Sequence, residues 1–192
     1  MFPIVALFLL QSVQVASASD AHAGGDVATL LSGAFDNTAQ VARLAAHGAT
    51  PTPQVTITIE PTPQPDFALW RVHVETDPQS AFDQTWAMQT RIGADGEGEL
   101  IPYYQLHQDQ PPATAAFDEK GWLSLEACAL RGTFKPTRIT ALSEGEPCVA
   151  VSMSVGARRA LLPVGIDAYR GGMRADFNLR GERTTIEARR SR

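Results

Sequence analysis

Alternation of apolar and polar residues recurs along most of this chain, and it restricts the fold more than any other feature of the sequence. At residues 67–75, FALWRVHVE, the apolar side chains of Trp70, Val72 and Val74 alternate with polar ones. Successive side chains of a β-strand point to opposite faces, so a period of two indicates a strand with one apolar and one polar face. The chain is therefore predicted to be mainly β.

Turns rich in Gly, Pro and Asp separate further segments of the same kind, which is typical of an antiparallel barrel or sandwich. A single long helix is predicted at 27–46, because apolar residues recur there at helical spacing and Gly48 follows as a C-cap glycine. The acidic, glycine-rich stretch 93–99 predicts a hairpin loop. Strands are predicted at 54–60, 67–75, 84–92, 100–108, 121–126, 128–134, 137–142, 147–154, 158–164, 173–179 and 183–189.

The first 18 residues, MFPIVALFLLQSVQVASA, have the layout of a secretory signal peptide, with an apolar run that ends in small residues. The apolar run is shorter than the roughly 20 residues that cross a bilayer, and no later segment is long and apolar enough to span one. We therefore predict cleavage after Ala18, an exported protein that is periplasmic or secreted, and one mature domain at 19–192. A short membrane anchor is the alternative.

Charge is distributed unevenly along the chain, although the net charge is only −5. Residues 1–130 carry 4 basic and 15 acidic side chains, whereas residues 131–192 carry 12 basic and 6 acidic ones. The overall negative charge argues against nucleic acid as the main partner. The C-terminal arginines either point to solvent from strands and a frayed tail, or form a surface for an anionic ligand or partner.

Cys128 and Cys148 are the only two cysteines, and an even pair in an exported chain is most simply a disulfide. A nucleophilic cysteine is the alternative. The four histidines are scattered without metal-ligand spacing, so no metal site is predicted. The sequence contains no G-x-S-x-G elbow, phosphate-binding glycine loop or H-E-x-x-H motif, and it therefore indicates no catalytic residue.

Two consecutive predicted strands share a polar face that could form a site. If 67–76 and 84–93 pair as a hairpin, one face carries Arg71, His73, Glu75, Gln89 and Arg91, and cross-strand partners lie about 5 Å apart. Lining a barrel lumen, these groups would form a ligand site with two cations, an acid and an amide. Facing water, they would form a solvated strand face with incidental ion pairs. The alternation leaves both placements open.

The stretch LLSGAFDNTAQV, at 30–41, resembles the N-terminal signature L-x-G-x-[FY]-[DS]-N-x-x-Q of the CpcT/CpeT chromophore-lyase family. LWRVHVE resembles the first main strand of that family, which ends at Glu75 here, and WAMQTRI resembles its aromatic-Arg-Gln-Arg strand through Trp86 and Gln89. Cys128 and Cys148 resemble a cysteine pair that flanks a Gly-Phe turn, here RGTF. The signature residues are Leu31, Gly33, Phe35, Asp36, Asn37 and Gln40.

The resemblance implies a small calyx-like, lipocalin-like antiparallel β-barrel with one N-terminal helix, commonly a homodimer. It also implies that a bilin, or another tetrapyrrole, binds in the barrel as a ligand and is passed to a phycobiliprotein cysteine, which is a lyase activity. No other cofactor is expected. The predicted ligand-binding residues are Arg71, Glu75, Gln89, Arg91 and Tyr104.

The chain departs from the family pattern where the bilin chemistry would need it. Met88 and Thr90 replace the two arginines that flank Gln89, and Arg91 is displaced by one residue, which on a strand sends it to the opposite face from Thr90. Arginines there would pair with bilin propionates through bidentate contacts. An exported protein would also not meet phycobiliproteins, which are assembled inside the cell.

Three functions follow from these observations. The first is an exported barrel that binds a hydrophobic or tetrapyrrole-like anionic molecule in its lumen, and the second is a bilin lyase. The third is a structural or interaction module of the cell envelope, with a filled barrel core and an Arg-rich acting surface. A barrel without an internal cavity would favour the third.

Overall fold

The computed structural model describes residues 27–77, 80–105, 117–145, 148, 162–179 and 182–191. The predicted signal peptide at 1–18 lies outside these residues, as do 106–108, most of 147–154 and most of 158–164. Eleven strands and one helix of nine residues account for most of the described chain. They are β1 (Gly33–Asp36), α1 (Thr38–Ala46), β2 (Gln54–Pro61), β3 (Phe67–Asp77), β4 (Ser80–Ile92), β5 (Glu97–Gln105), β6 (Trp122–Ser124), β7 (Leu130–Lys135), β8 (Arg138–Ser143), β9 (Pro163–Tyr169), β10 (Gly172–Leu179) and β11 (Glu182–Arg190).

Ten of the strands form a closed antiparallel barrel, as predicted. Their order is β4-β3-β2-β1-β11-β10-β9-β8-β7-β5, and pairing of β4 with β5 closes the ring. The eleventh strand, β6, pairs with the end of β5 outside the ring, between Tyr103↔Ser124 and Gln105↔Trp122. Closure leaves the ring without a free edge, which removes the usual route to strand-to-strand aggregation.

Apolar side chains fill the interior of the barrel. A ring of ten strands encloses more space than one of eight, which ordinary side chains can just fill, and large residues on β1–β5 occupy that space. Trp70 and Trp86 are 1% and 0% exposed, and the interior residues of β8–β11 are mostly smaller. The described interior includes Phe35, Val55, Ile57, Ile59, Trp70, Val72, Val74, Trp86, Met88, Leu100, Leu130, Phe134, Ile139, Ala141, Ile166, Ala168, Met173, Ala175, Phe177, Ile186 and Ala188.

A second, smaller apolar cluster lies on the outside of β3, β4 and β5. Residues 117–129 cross this face and bury Phe117 and Trp122 against Phe67 and Tyr103, with ring centroids 5.0–5.8 Å apart. Near the end of this covering segment, Cys128 forms the predicted disulfide with Cys148. The cross-link closes a loop of 20 residues and stabilises the fold by about 3 kcal/mol in the chain-entropy model.

The prediction of one long helix at 27–46 is wrong. The chain is helical at 27–31, runs as strand β1 from Gly33 to Asp36, and resumes as a helix only at Thr38. Gly33 has φ +121°, a conformation that side chains rarely adopt and a helix does not contain. Pairing with β2 and β11 then outweighs the helical propensity of the segment, because β1 completes the ring.

The predicted strands that fall within the described residues are confirmed with shifted ends, whereas most of 147–154 and of 158–164 lies outside those residues. β4 begins at Ser80 and β5 at Glu97, so each extends into a predicted turn. Prediction missed most of β9, Pro163–Tyr169, since it placed the end of a strand at residue 164. Among the described residues, no helix combines the length and the apolar character that a membrane span requires.

Candidate functional site

The predicted ligand-binding residues lie on both sides of the barrel wall. Trp70, Val72 and Val74 belong to the interior cluster, so Arg71 and Glu75, which alternate with them, lie on the outer face of β3. Gln89 and Arg91 lie on the outer face of β4, on the side of Ala87 in the external cluster. Only Tyr104 packs against the interior cluster, where its ring centroid is 5.9 Å from that of Trp86. Of the two placements left open by the alternation, the polar face therefore lies outside.

The strand register separates Arg71 and Glu75 on β3 from Gln89 and Arg91 on β4. Arg71 pairs with Thr85 and Glu75 with Ala81, whereas Gln89 pairs with Phe67, four residues before Arg71. Four residues of strand correspond to about 13 Å. Arg71 and Gln89 therefore do not form the cluster that a shared face suggested. Their role in ligand binding stays a prediction.

Local partners engage the outer polar side chains. Arg71 forms an ion pair of 3.2 Å with Glu60, and His73 Nδ1 is 2.8 Å from an oxygen of Asp83. Such pairs contribute little at exposed positions. They show the outer polar face as a solvated surface with cross-strand ion pairs.

Gln89 joins the external cluster to the β2–β3 turn. Its amide nitrogen donates to Asp66 at 2.7 Å, and its amide oxygen accepts a hydrogen bond of 3.0 Å from the Tyr103 hydroxyl. Both ends of the amide are therefore used within the fold. Because Tyr103 packs on Phe67 in the external cluster, Gln89 has a structural explanation that requires no ligand.

Arg91 lies in a surface cleft of about 390 Å³ between β4, β5 and β7. Glu99 bridges Arg91 and Arg131 there, with each nitrogen–oxygen distance 3.4 Å. Glu126 approaches Arg91 at 3.8 Å, and Glu97 also lines the cleft. The carboxylates outnumber the two guanidinium groups, so the cleft has no excess positive charge for an anionic ligand.

The motif residues Asn37 and Gln40 fasten α1 to the barrel. Asn37 is fully buried: its amide oxygen accepts from the Val55 backbone N–H at 2.7 Å, and its amide nitrogen donates to the Pro53 carbonyl at 2.9 Å. Gln40 donates to the Thr185 carbonyl at 2.9 Å and accepts from the backbone N–H of residue 187 at 3.0 Å. The two amides thus pair with β2 and β11 just past the point where β1 ends.

Carboxylates interleave with the arginines on the outer face of β8–β11. Arg138 donates two hydrogen bonds of 2.7 Å to Asp167, and these bonds hold the pKa of Asp167 below its usual value. Arg183 is 2.6 Å from Asp176 in the same way. The predicted Arg-rich surface is therefore largely neutralised at its centre.

One row of this face departs from that pattern, at the barrel end formed by the β7–β8 and β9–β10 turns. The strand register aligns Lys135, Arg138, Tyr169, Gly172 and Arg189 side by side across five strands, on their outer faces. We call these five residues the rim row. Prediction missed Tyr169, because the strand that carries it was not predicted beyond residue 164. The available sequence signal was an aromatic residue directly before the turn residues Arg170 and Gly171.

Neither protein-family models, nor curated proteins, nor solved structures yield a match to this chain. Within the described residues, no group of three or more His, Cys, Asp or Glu side chains could hold a metal ion. The residues predicted to hold a bilin do not fit that ligand as a set, since four lie outside the barrel and the interior around Tyr104 is filled. Among the described residues, the polar candidates for a site therefore lie on the outer surface of the barrel.

Proposed function

We propose that this chain is an exported structural or interaction module that acts through its outer surface and not through a ligand in its barrel. The filled interior carries the proposal. Phe35, Ile57 and Trp86 are each 0% exposed, so a water-sized probe reaches none of them. A linear tetrapyrrole would have to displace several such side chains, and core side chains at native density yield space only at a cost of kilocalories per mole.

Export rests on two features that agree with each other. The first 18 residues have the layout of a signal peptide, and the disulfide between Cys128 and Cys148 is of a kind that persists in oxidising compartments. On this proposal the resemblance to the CpcT/CpeT family concerns the barrel frame and not its bilin chemistry. The replacement of both arginines beside Gln89, by Met88 and Thr90, supports that distinction.

Native mass spectrometry of the mature protein, purified from the exported fraction, tests the proposal. The protein is measured alone and after incubation with biliverdin, haem or palmitate, and then under denaturing conditions. We expect the mass of the polypeptide alone in every case, two hydrogens lighter than the reduced chain because of the disulfide. A small molecule that co-purifies, or a one-to-one complex with any of the three, would refute the proposal and restore the lumenal ligand site.

A further inference from the structure

The rim row is a line of cations with an exposed aromatic ring at its centre. Adjacent residues in the row are direct cross-strand partners, which lie about 5 Å apart, so the five positions span about 20 Å. Tyr169 is 46% exposed. Gly172 leaves room beside it, because a Cβ at that glycine would lie 3.3 Å from the Tyr169 hydroxyl oxygen and 2.5 Å from the Ala188 carbonyl.

The row carries more positive charge than its neighbours neutralise. Lys135 and Arg138 lie directly opposite each other, an arrangement of like charges that destabilises a sheet. Asp167 forms an ion pair with Arg138. Asp36 on β1 lies opposite Arg189 in the strand register, but its carboxylate accepts hydrogen bonds from Ser191 and from the backbone N–H of Thr38. In the described part of the chain, no carboxylate forms an ion pair with Lys135, Arg170 or Arg189. All three of these side chains are exposed. A costly concentration of unneutralised cations around an aromatic ring is typical of a binding surface, where Tyr and Arg dominate the energetics.

The next two rows of outer residues, on the inward side of the rim row, limit the shape of the partner. The next row inward contains Asp167, Arg174 and Glu187, and the one after it contains Asp176. A broad anionic surface such as a membrane would bring its charges against these carboxylates. A single extended chain that crosses the strands along the rim row would contact Lys135, Tyr169 and Arg189. It would meet fewer carboxylates than a broad surface, namely Asp167, which Arg138 neutralises, and Asp36, where the row continues onto β1.

We infer that the rim row binds an acidic polypeptide segment, which would make it the acting surface of the interaction module proposed above. Extended peptides place alternate side chains about 6.6 Å apart on one side, so two or three carboxylates of one segment can reach the row's cations. Arginine pairs with carboxylates through two parallel hydrogen bonds, which suits Arg189 and Arg170. Tyr169 supplies apolar contact area between the charges.

Binding of fluorescein-labelled poly-L-glutamate to the full mature protein, followed by fluorescence anisotropy, tests this inference. Arg189→Glu is compared with Lys120→Glu, which changes the net charge equally on an exposed residue of the covering segment. We expect saturable binding that weakens with salt, loses about tenfold in affinity with Arg189→Glu, and changes less than twofold with Lys120→Glu. Tyr169→Ser should weaken binding while leaving its salt dependence unchanged, since it removes no charge.

Three outcomes would overturn the inference. They are the absence of poly-L-glutamate binding at low salt, equal losses in the two charge-reversal variants, and tighter binding to phosphatidylglycerol vesicles than to poly-L-glutamate. Circular dichroism of each variant establishes that it is folded, and Arg189→Gln is measured in addition if Arg189→Glu unfolds. The mass-spectrometric test of the filled barrel uses neither this probe nor these variants, so the two proposals can fail separately.

Discussion

The side-chain amides of Asn37 and Gln40 make the hydrogen bonds to β2 and β11 that further backbone groups of β1 would make if the strand continued. β1 has only four residues, and where it ends Asn37 pairs with the backbone of β2 and Gln40 with the backbone of β11. Buried backbone groups that lose their partners cost more than a formed hydrogen bond contributes. The D-N-x-x-Q spacing therefore has a sufficient structural explanation in this chain.

Asn37→Ala should lower the free energy of unfolding by about 2 kcal/mol, because it removes the partner of the buried Val55 N–H and of the part-buried Pro53 carbonyl. Urea denaturation of the oxidised protein measures the change. The matched control is Asn178→Ala on an exposed position of β10, which should change stability by less than about 0.5 kcal/mol. Equal effects of the two substitutions would contradict the role assigned to Asn37.

Asp176 should contribute to the loss of stability in acid. Burial alone would raise the pKa of this carboxyl, but hydrogen bonds from Thr185 and Arg183 outweigh burial and lower the pKa. Since the pKa in the folded state lies below the unfolded value of about 3.9, the contribution is complete above that pH and is lost as pH falls through the folded pKa.

Asp176→Asn should therefore flatten the decline in unfolding free energy below about pH 5 and leave a constant deficit at neutral pH. Urea midpoints measured at intervals down to about pH 2 check this. Glu144→Gln, at an exposed carboxylate, serves as the control. An acid decline as steep in Asp176→Asn as in the unmodified protein would show that the carboxyl does not take part.

At the scale of elements, the sequence pattern predicts the strands well and the segment before them poorly. Periodicity reports only on the local sequence, and the apolar residues of 27–46 do recur at helical spacing. Closure of the ring requires a strand between β2 and β11, which is a non-local demand that no local pattern reveals. The same limit applies to the site: alternation groups Arg71 with Gln89 on one face, but only the register shows that they are apart.

Gly33→Ala should destabilise the protein by about 1–3 kcal/mol, because position 33 has φ +121° and the new Cβ would lie 2.7 Å from Nη1 of Arg190. Arg190 donates hydrogen bonds to the carbonyls of Ser32 and Leu30, at the end of the helical turn, so the clash would also disturb that cap. Gly121→Ala is the matched control, since a Cβ there meets nothing within 4 Å. If both variants unfold at the same urea concentration, strand β1 is not held as described.

For the whole molecule, the decisive property is that the described residues inside the barrel form a packed apolar core. Ten strands give a ring wide enough for a cavity, and two tryptophans with several phenylalanines occupy it instead. Outside the barrel, the described surface carries the covering segment with its disulfide and the proposed acting surface, the rim row. Close packing of a core also rigidifies the barrel wall, so the strands that carry the rim row keep a fixed register relative to one another.

Trp86→Ala tests the filled core directly, because it should convert part of it into a cavity. Removal of a fully buried tryptophan should cost about 3–5 kcal/mol of unfolding free energy, whereas Phe82→Ala, at a residue that is 43% exposed, should cost far less. A dry apolar cavity takes up small apolar molecules, so indole or benzene should raise the thermal midpoint of Trp86→Ala, since a ligand of the folded state alone stabilises it. The unmodified protein should show no such shift. If indole or benzene stabilises the unmodified protein and the variant equally, the barrel already holds a cavity that can take a ligand, and the proposed outer acting surface is not needed to explain the function.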